Sequence, residues 1–336
     1  MADAELPDAL RDDLRAAWQR YIDLLAPLRP ALHRYCRRLT GNLWDAEDLV
    51  QETLLRAFGT LGSLHQTIEN PRAYLFRAAS NAWIDTLRRR GTETNVLAAQ
   101  AGPASETAAA PGAVRDAGAT VLQRLAPQER AAVVLKDVFE MSLEEIGDVL
   151  GTTVGAVKAA IHRGRSRLRE PEGGSASLRP APSVALVDQF VAAYNVLDLA
   201  ALLGLMLDTA SVENVGCGVQ IGREAFSGKD GWFHAAVYGH PEWPEWLQYE
   251  SPRMQRAICG GEPVALGFTT RQGKEALEQV MRFDEQDGRI ARLRGYAFCP
   301  ETMREVGEKL GLRVRTGFYR YPTAVPGQAY TEAPLK

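Results

Sequence analysis

The sequence predicts two all-helical domains, the second a helix-turn-helix, followed by a C-terminal α+β domain. Three observations carry this. Apolar residues recur at helical spacing through 10–90 and again through 119–170. Two stretches poor in large apolar residues, GTETNVLAAQAGPASETAAAPGAVRDAG (91–118) and PEGGSASLRPAPS (171–183), separate these blocks from each other and from the remainder. Such compositions bury too little surface to hold one conformation and read as linkers. Beyond residue 184 a helical pattern gives way to strand-like runs, which indicates an α+β domain.

Length and charge bound the function. A chain of 336 residues divides into about two or three domains at ~100–200 residues each. Its net charge of −3 argues against a polybasic protein that coats nucleic acid through bulk charge. Residues 1–170 hold 22 basic and 22 acidic groups, so any nucleic-acid surface there must come from segregation of charge. The four cysteines, Cys36, Cys217, Cys259 and Cys299, form no C-x-x-C pair, so neither a disulfide framework nor a structural metal site is expected. Acids at the N-terminus oppose a signal peptide, and Asn195 and Asp198 break the most apolar stretch, 189–207. A soluble, cytoplasmic protein without cofactors is the expectation.

The first block carries two informative helices. In DAEDLVQETLLRAF (45–58), Leu49, Val50, Thr53, Leu54, Ala57 and Phe58 form the burying stripe. Asp48, Gln51, Glu52 and Leu55 fall on another face, and from 39 to 55 the acids Asp45, Glu47, Asp48 and Glu52 stand without a base. A basic protein partner is one use for such a face; a solvated surface is the other. In NPRAYLFRAASNAWIDTLRRR (70–90), Asn70 is the N-cap and Pro71 the first helical residue. Tyr74, Leu75, Ala78 and Ala82 point inward. Arg77, Asn81 and Arg88 share a neighbouring face that ends in the arginine run 88–90. Arginines interleaved with polar and aromatic groups suit a melted DNA strand, where bases stack and phosphates pair with guanidinium groups. Phe76 and Trp83 serve equally well as core.

The second block ends in SLEEIGDVLGTTVGAVKAAIHRGRSRLR (142–169). Ser142 and Glu145 form a capping box, Gly151 ends the first helix, and Thr152 or Thr153 caps the second. Two helices joined by a tight glycine turn match the motif that lays its second helix in a major groove. From 152 to 169 the basic residues are Lys158, Arg163, Arg165, Arg167 and Arg169, with no acid. Thr152, Thr153 and Lys158 are the expected base readers, with His162, Arg163 and Arg165 nearer phosphates. A basic helix in an ordinary bundle is the alternative.

The order of LTGNLWDAEDLVQETLLRAF, NPRAYLFRAASNAWIDTLRRR, a variable linker and LAPQERAAVVLKDVFEMSLEEIGDVLGTTVGAVKAAIHRGRSRLRE resembles the extracytoplasmic-function (ECF) sigma factors of the bacterial sigma-70 class. The resemblance spans about 20–170. It implies that Asp48, Gln51 and Glu52 grip the β′ clamp helices of RNA polymerase core, with the β flap as a second contact. It implies that Ser63, His65, Asn70, Arg77, Asn81, Arg88 and Arg89 meet the −10 element, the loop 63–69 holding a flipped base. It assigns Thr152, Thr153, Lys158, His162, Arg163 and Arg165 to the −35 element, and the 91–118 linker to the RNA exit path. The expected domains are then sigma region 2 (10–90), the linker 91–118, sigma region 4 (119–170) and a second linker, 171–183. No chemistry falls to the chain itself.

The remainder resembles a SnoaL-like domain of the NTF2 fold, a curved sheet wrapped by helices into a cone, over 184–314, with a tail at 315–336. The resemblance rests on LVDQFVAAYNVLDLAALLGLMLDTASVENVG, on Gly222-Arg223-Glu224-Ala225 and on RFDEQDGRIARLRGYAFCPETMREV. Asp287-Gly288 between two strand-like runs marks a hairpin, and Pro300 opens a helix ended by Gly311. Glu213, Trp232, His234 and Tyr238 are the candidate cone lining. The Trp-Leu-Pro-Glu-Pro linker motif of the best-known SnoaL-tailed subgroup is absent from 91–118. The resemblance implies a sigma factor regulated in cis by its tail, with an anti-sigma protein or a small ligand as further candidate partners. The alternatives are a ligand-sensing helix-turn-helix regulator and a SnoaL-like enzyme with a DNA-binding appendage.

Overall fold

The computed structural model describes residues 8–61, 68–100, 122, 125–168, 181–223, 227–228, 231, 233, 250–271 and 273–316. The chain forms two compact units, residues 25–178 and residues 179–336 together with 1–24. The first helix, α1 (Asp8–Leu25), therefore groups with the C-terminal unit and not with the helices that follow it.

The helical unit begins with α2 (Arg29–Thr40), α3 (Leu43–Leu61) and α4 (Pro71–Gln100). Gly41, at φ 79°, ends α2 and donates its N–H to the Arg37 carbonyl. Asn70 caps α4, its Oδ1 accepting from the Ala73 N–H at 3.0 Å. The core joins Leu32, Tyr35 and Leu39 of α2, Val50 and Leu54 of α3, and Phe76 and Trp83 of α4, all buried. Tyr35 stacks on Phe76 with ring centroids 4.7 Å apart, and its hydroxyl lies 2.7 Å from Ser80 Oγ. Phe76 and Trp83 are thus core residues. The helix α4 continues ten residues past the arginine run, through GTETNVLAAQ at the start of the segment read as a linker. Gly91 therefore lies inside the helix, at a cost of about 1 kcal/mol in intrinsic propensity relative to Ala.

Among the described residues three further helices of this unit follow, α5 (Pro127–Asp137), α6 (Leu143–Leu150) and α7 (Val154–Leu168). The capping box at α6 is formed, with Ser142 Oγ accepting from the Glu145 N–H and Glu145 Oε2 accepting from the Ser142 N–H. Two glycines make the turn into α7. Gly151 takes φ 61°, and a Cβ on Gly147 would lie 2.9 Å from the Thr152 carbonyl oxygen. The pair α5–α6 packs on α2 and α4. At this seam Phe139 meets Tyr35 and Phe76 edge-on, Arg130 Nη1 donates to the Leu39 carbonyl, and the Arg130 guanidinium lies 5.0 Å from the Trp83 ring centre.

The C-terminal unit starts with α8 (Val184–Asn195) and α9 (Leu199–Gly204), capped by Ser183 and Asp198. Asn195 marks the break and bonds the Met254 backbone through both its amide atoms. The strands are β1 (Met206–Asn214), β2 (Gly218–Ile221), β3 (Glu250–Cys259), β4 (Glu262–Arg271), β5 (Lys274–Gln286) and β6 (Arg289–Gly295), followed by α10 (Pro300–Leu310). They form one sheet in the order β2-β1-β6-β5-β4-β3, antiparallel except for β1 beside β6. The run 210–221 is two strands and not one, because Gly216 at φ 84° turns the chain back. The β5–β6 hairpin closes through Asp287 (φ 53°) and Gly288 (φ 72°), both left-handed as a two-residue type I′ turn requires. Phe190, Leu202, Met206, Phe283 and Leu293 form a core on one face. The alternate positions Val264, Leu266, Val280 and Arg282 are buried as well, so both faces of the sheet are covered. This is an α+β domain with the helix-then-sheet order that the SnoaL-like resemblance implies.

Candidate polymerase and promoter interfaces

The α3 face divides more sharply than its charge count suggests. Leu49, Val50, Thr53, Leu54 and Ala57 are buried. Glu47 is buried too: it pairs with Arg29, lies 3.8 Å from His33 Nε2 and accepts from Gln51 Nε2 at 2.7 Å. Glu47 is therefore an internal counter-ion and no part of an exposed acidic surface. Asp48, Gln51 and Glu52 remain half-buried at the surface beside Leu55, which is 59% exposed. Glu52 pairs with Arg56, which reaches on to Asp85 of α4 at 3.5 Å, and Arg89 lies 3.7 Å from Glu52. The acid-bearing edge of α3 thus adjoins the arginine run of α4.

On α4 the inward and outward residues separate by one step around the helix. Phe76 and Trp83 face the core, while Arg77, Asn81, Arg88 and Arg89 are exposed. Asn70 is exposed at the helix start. Ser63 and His65 lie outside the described residues.

The helix-turn-helix presents α7 with Val157, Ala160, Ile161 and Gly164 inward. Thr152, Thr153, Lys158, His162, Arg163 and Arg165 are all exposed. Thr153 is the capping residue, its Oγ1 accepting from the Ala156 N–H at 3.2 Å. Gly155, Ala156 and Ala159 leave the outer surface of α7 low, so its backbone can approach a groove closely. Three arginines of α7 are held within the fold: Arg163 Nε donates to Glu129 Oε1 at 2.9 Å, Arg167 Nη1 donates to Glu129 Oε2 at 2.7 Å, and Arg165 pairs with Asp137. That pairing raises the Arg165 guanidinium above its ordinary value, mainly through the Asp137 hydrogen bond. Leu143 and Ile161 line a depression of about 440 Å³ whose rim carries Lys136, Lys158, His162 and Arg165. Lys136 belongs to α5, outside the motif, and only the folded arrangement brings it here.

In the C-terminal unit Glu213 is half-buried and accepts from Arg292 Nη2 at 2.6 Å. Trp232, His234 and Tyr238 lie outside the described residues. Among the described residues no group of three or more His, Cys, Asp or Glu side chains is placed to hold a metal ion. Among them, too, no helix is long and apolar enough to cross a membrane.

Comparison with known proteins agrees with this division. The family Sigma-70 region 2 matches residues 24–93, and Sigma-70, region 4 matches residues 119–168. The ECF RNA polymerase sigma factor SigW of Bacillus subtilis (strain 168) is 30% identical over 164 residues, covering 45% of this chain and 87% of SigW. The ECF RNA polymerase sigma factor SigG of Mycobacterium tuberculosis is 32% identical over 211 residues, covering 53% of this chain and 57% of SigG. The chain thus spans little more than half the length of the SigG relatives. The crystal structure of the Mycobacterium tuberculosis extracytoplasmic function sigma factor SigJ shares 22% identity, covers 84% of this chain and 98% of that one, and superposes with a TM-score of 0.31. The helical unit carries the two regions that define a sigma-70 class of protein. Within that class, the chain belongs to the ECF sigma factors, which are not an enzyme family.

Proposed function

We propose that this protein directs RNA polymerase core to a subset of promoters and that its C-terminal α+β domain tunes this activity in cis. The observation that carries the reading is the segregation of surfaces on one helical unit. An acidic edge with an exposed leucine lies on α3, an arginine face on α4, and a basic reading helix at α7. Asp48, Gln51 and Glu52 are the core-binding residues in this reading. Arg77, Asn81, Arg88 and Arg89 take the −10 strand, and Thr152, Thr153, Lys158 and His162 take the −35 duplex. A ligand-sensing regulator that works without polymerase needs neither the α3 edge nor the α4 face. The Glu213–Arg292 pair favours a structural role for the carboxylate over an acid–base one, and so supports regulation over catalysis in the C-terminal domain. Cytoplasmic location follows from the partners. The test is core affinity: Asp48→Arg combined with Glu52→Arg places two positive charges on the α3 edge and abolishes core binding while helical circular dichroism is retained. Unchanged affinity would remove the partner assignment.

A further inference from the structure

The arginines of α7 are not equivalent, and their partners tell them apart. Residues two apart on a helix lie about 200° apart around its axis, so Arg163 and Arg165 project from opposite flanks of α7. Between them sits Gly164, where α5 crosses beneath: a Cβ there would come 2.8 Å from Val133 Cγ2. The acids near the two ends of α5 reach up on either side of that crossing. Glu129 holds Arg163 Nε at 2.9 Å and Arg167 Nη1 at 2.7 Å on one flank, and Asp137 holds Arg165 on the other.

These two clamps differ in strength. The Glu129 side chain is 5% exposed, and its Oε2 also accepts from the Ala126 N–H at the start of α5. Drawing Arg163 and Arg167 away to a phosphate would leave a buried carboxylate without its counter-ions, which is strongly unfavourable. The Asp137 side chain is 38% exposed, so water can replace Arg165 there at little cost. Arg165 borders the depression beside Lys136, Lys158 and His162. Lys136 Nζ donates one of its three N–H bonds to the Met141 carbonyl at 3.1 Å, which steadies the ammonium while leaving two donors.

We propose that Lys136 of α5 is a DNA-phosphate contact beside the reading helix, and that Glu129 is the positioning residue that sets the roll of α7 and withdraws Arg163 and Arg167 from DNA. The inference rests on the promoter-reading role of α7. It assigns the phosphate path to the Lys136–Lys158–His162 flank and a structural role to Arg163, which charge alone would place on DNA.

The experiment measures binding of the full-length chain to labelled mixed-sequence duplex DNA across a salt series, read as the slope of log affinity against log salt. Each lost phosphate contact lowers that slope by about 0.9. Lys136→Gln, which keeps a donor for the Met141 carbonyl, lowers it as Lys158→Gln does, and Lys136→Arg restores it. Arg163→Gln and Arg167→Gln leave it unchanged, and Glu129→Gln raises it by releasing both arginines. An unchanged slope in Lys136→Gln, or a lowered one in Arg163→Gln, would overturn the assignment while the sigma-factor reading stands. Absence of salt-sensitive duplex binding by the wild-type chain would overturn the reading role of α7 itself, and the phosphate contact with it.

Discussion

Arg130 offers the sharpest test of how the helical unit is held together. It lies 7% exposed at the seam between α5 and the α2–α4 layer, donates to the Leu39 carbonyl and covers the Trp83 ring. Burial holds its guanidinium down at about 10. Set against the ordinary guanidinium value, that shift corresponds to about 3 kcal/mol of charge-burial cost at neutral pH. Arg130→Ala removes this cost together with three favourable terms. The charge-assisted hydrogen bond is worth about 1.5–3 kcal/mol, the cation–π contact about 1 kcal/mol, and two buried methylenes about 1.6 kcal/mol. The net expectation is destabilisation by about 1–3 kcal/mol. Arg130→Met restores the apolar stem without the charge and comes within about 1 kcal/mol of wild type. Because the folded-state pKa is lowered, the wild-type unit gains stability as pH rises through about 10, and the Met variant lacks that rise. Urea unfolding followed by helical circular dichroism reads all three proteins, provided the m-value holds constant. A Met variant as unstable as the Ala variant would show that the charge is net stabilising and refute the reasoning.

Two further predictions concern the helix-turn-helix. Ser142→Ala removes half of the capping box and destabilises the unit by about 1 kcal/mol, measured by the same unfolding curves. The Ser142 backbone and hydroxyl bonds hold the Glu145 carboxyl below its ordinary value. Their contribution is therefore present above the usual carboxylate range and is lost as pH falls below it. Ser142→Ala, which keeps the backbone donor, reduces that acid limb of the stability profile without abolishing it. Gly147→Ala sets a helix-propensity gain of about 1 kcal/mol against an overpacking cost of about 1–3 kcal/mol, because the new Cβ meets the Thr152 carbonyl 2.9 Å away. The variant should unfold at lower denaturant than wild type; an increase in midpoint would show that the turn can open to accept the methyl group.

What was legible in the sequence is what depends on near neighbours. The Asn70 cap, the Ser142–Glu145 box, Gly151 and the Asp287-Gly288 turn each act over two to four residues, and each stands where its local chemistry puts it. The buried stripe of α3 follows from helical spacing, whereas that of α4 is rolled from the expected one. Leu75 and Ala82 are buried as expected, but Phe76, Ala79 and Trp83 join them while Tyr74 and Ala78 are only half-buried, because large rings fill the core, Phe76 against Tyr35. Side-chain roles that depend on distant partners were not legible. Glu47 looks like one more acid on an acidic helix until Arg29, eighteen positions earlier, is found beside it. Arg163 and Arg167 look like phosphate ligands until Glu129, 34 and 38 positions away, claims both. Lys136 joins the reading surface only because α5 crosses under α7. A sequence pattern states which face a residue occupies, but a charged side chain's task is decided by what lies opposite it in the fold.

Run-off transcription with purified core polymerase tests the central claim most directly, using promoter fragments pooled from the source genome and comparing the full chain with a version ending at Glu170. The account predicts discrete, promoter-dependent transcripts that require the chain, with the shortened version differing in yield. Absence of such transcripts from both versions, with no core binding by either, would contradict it.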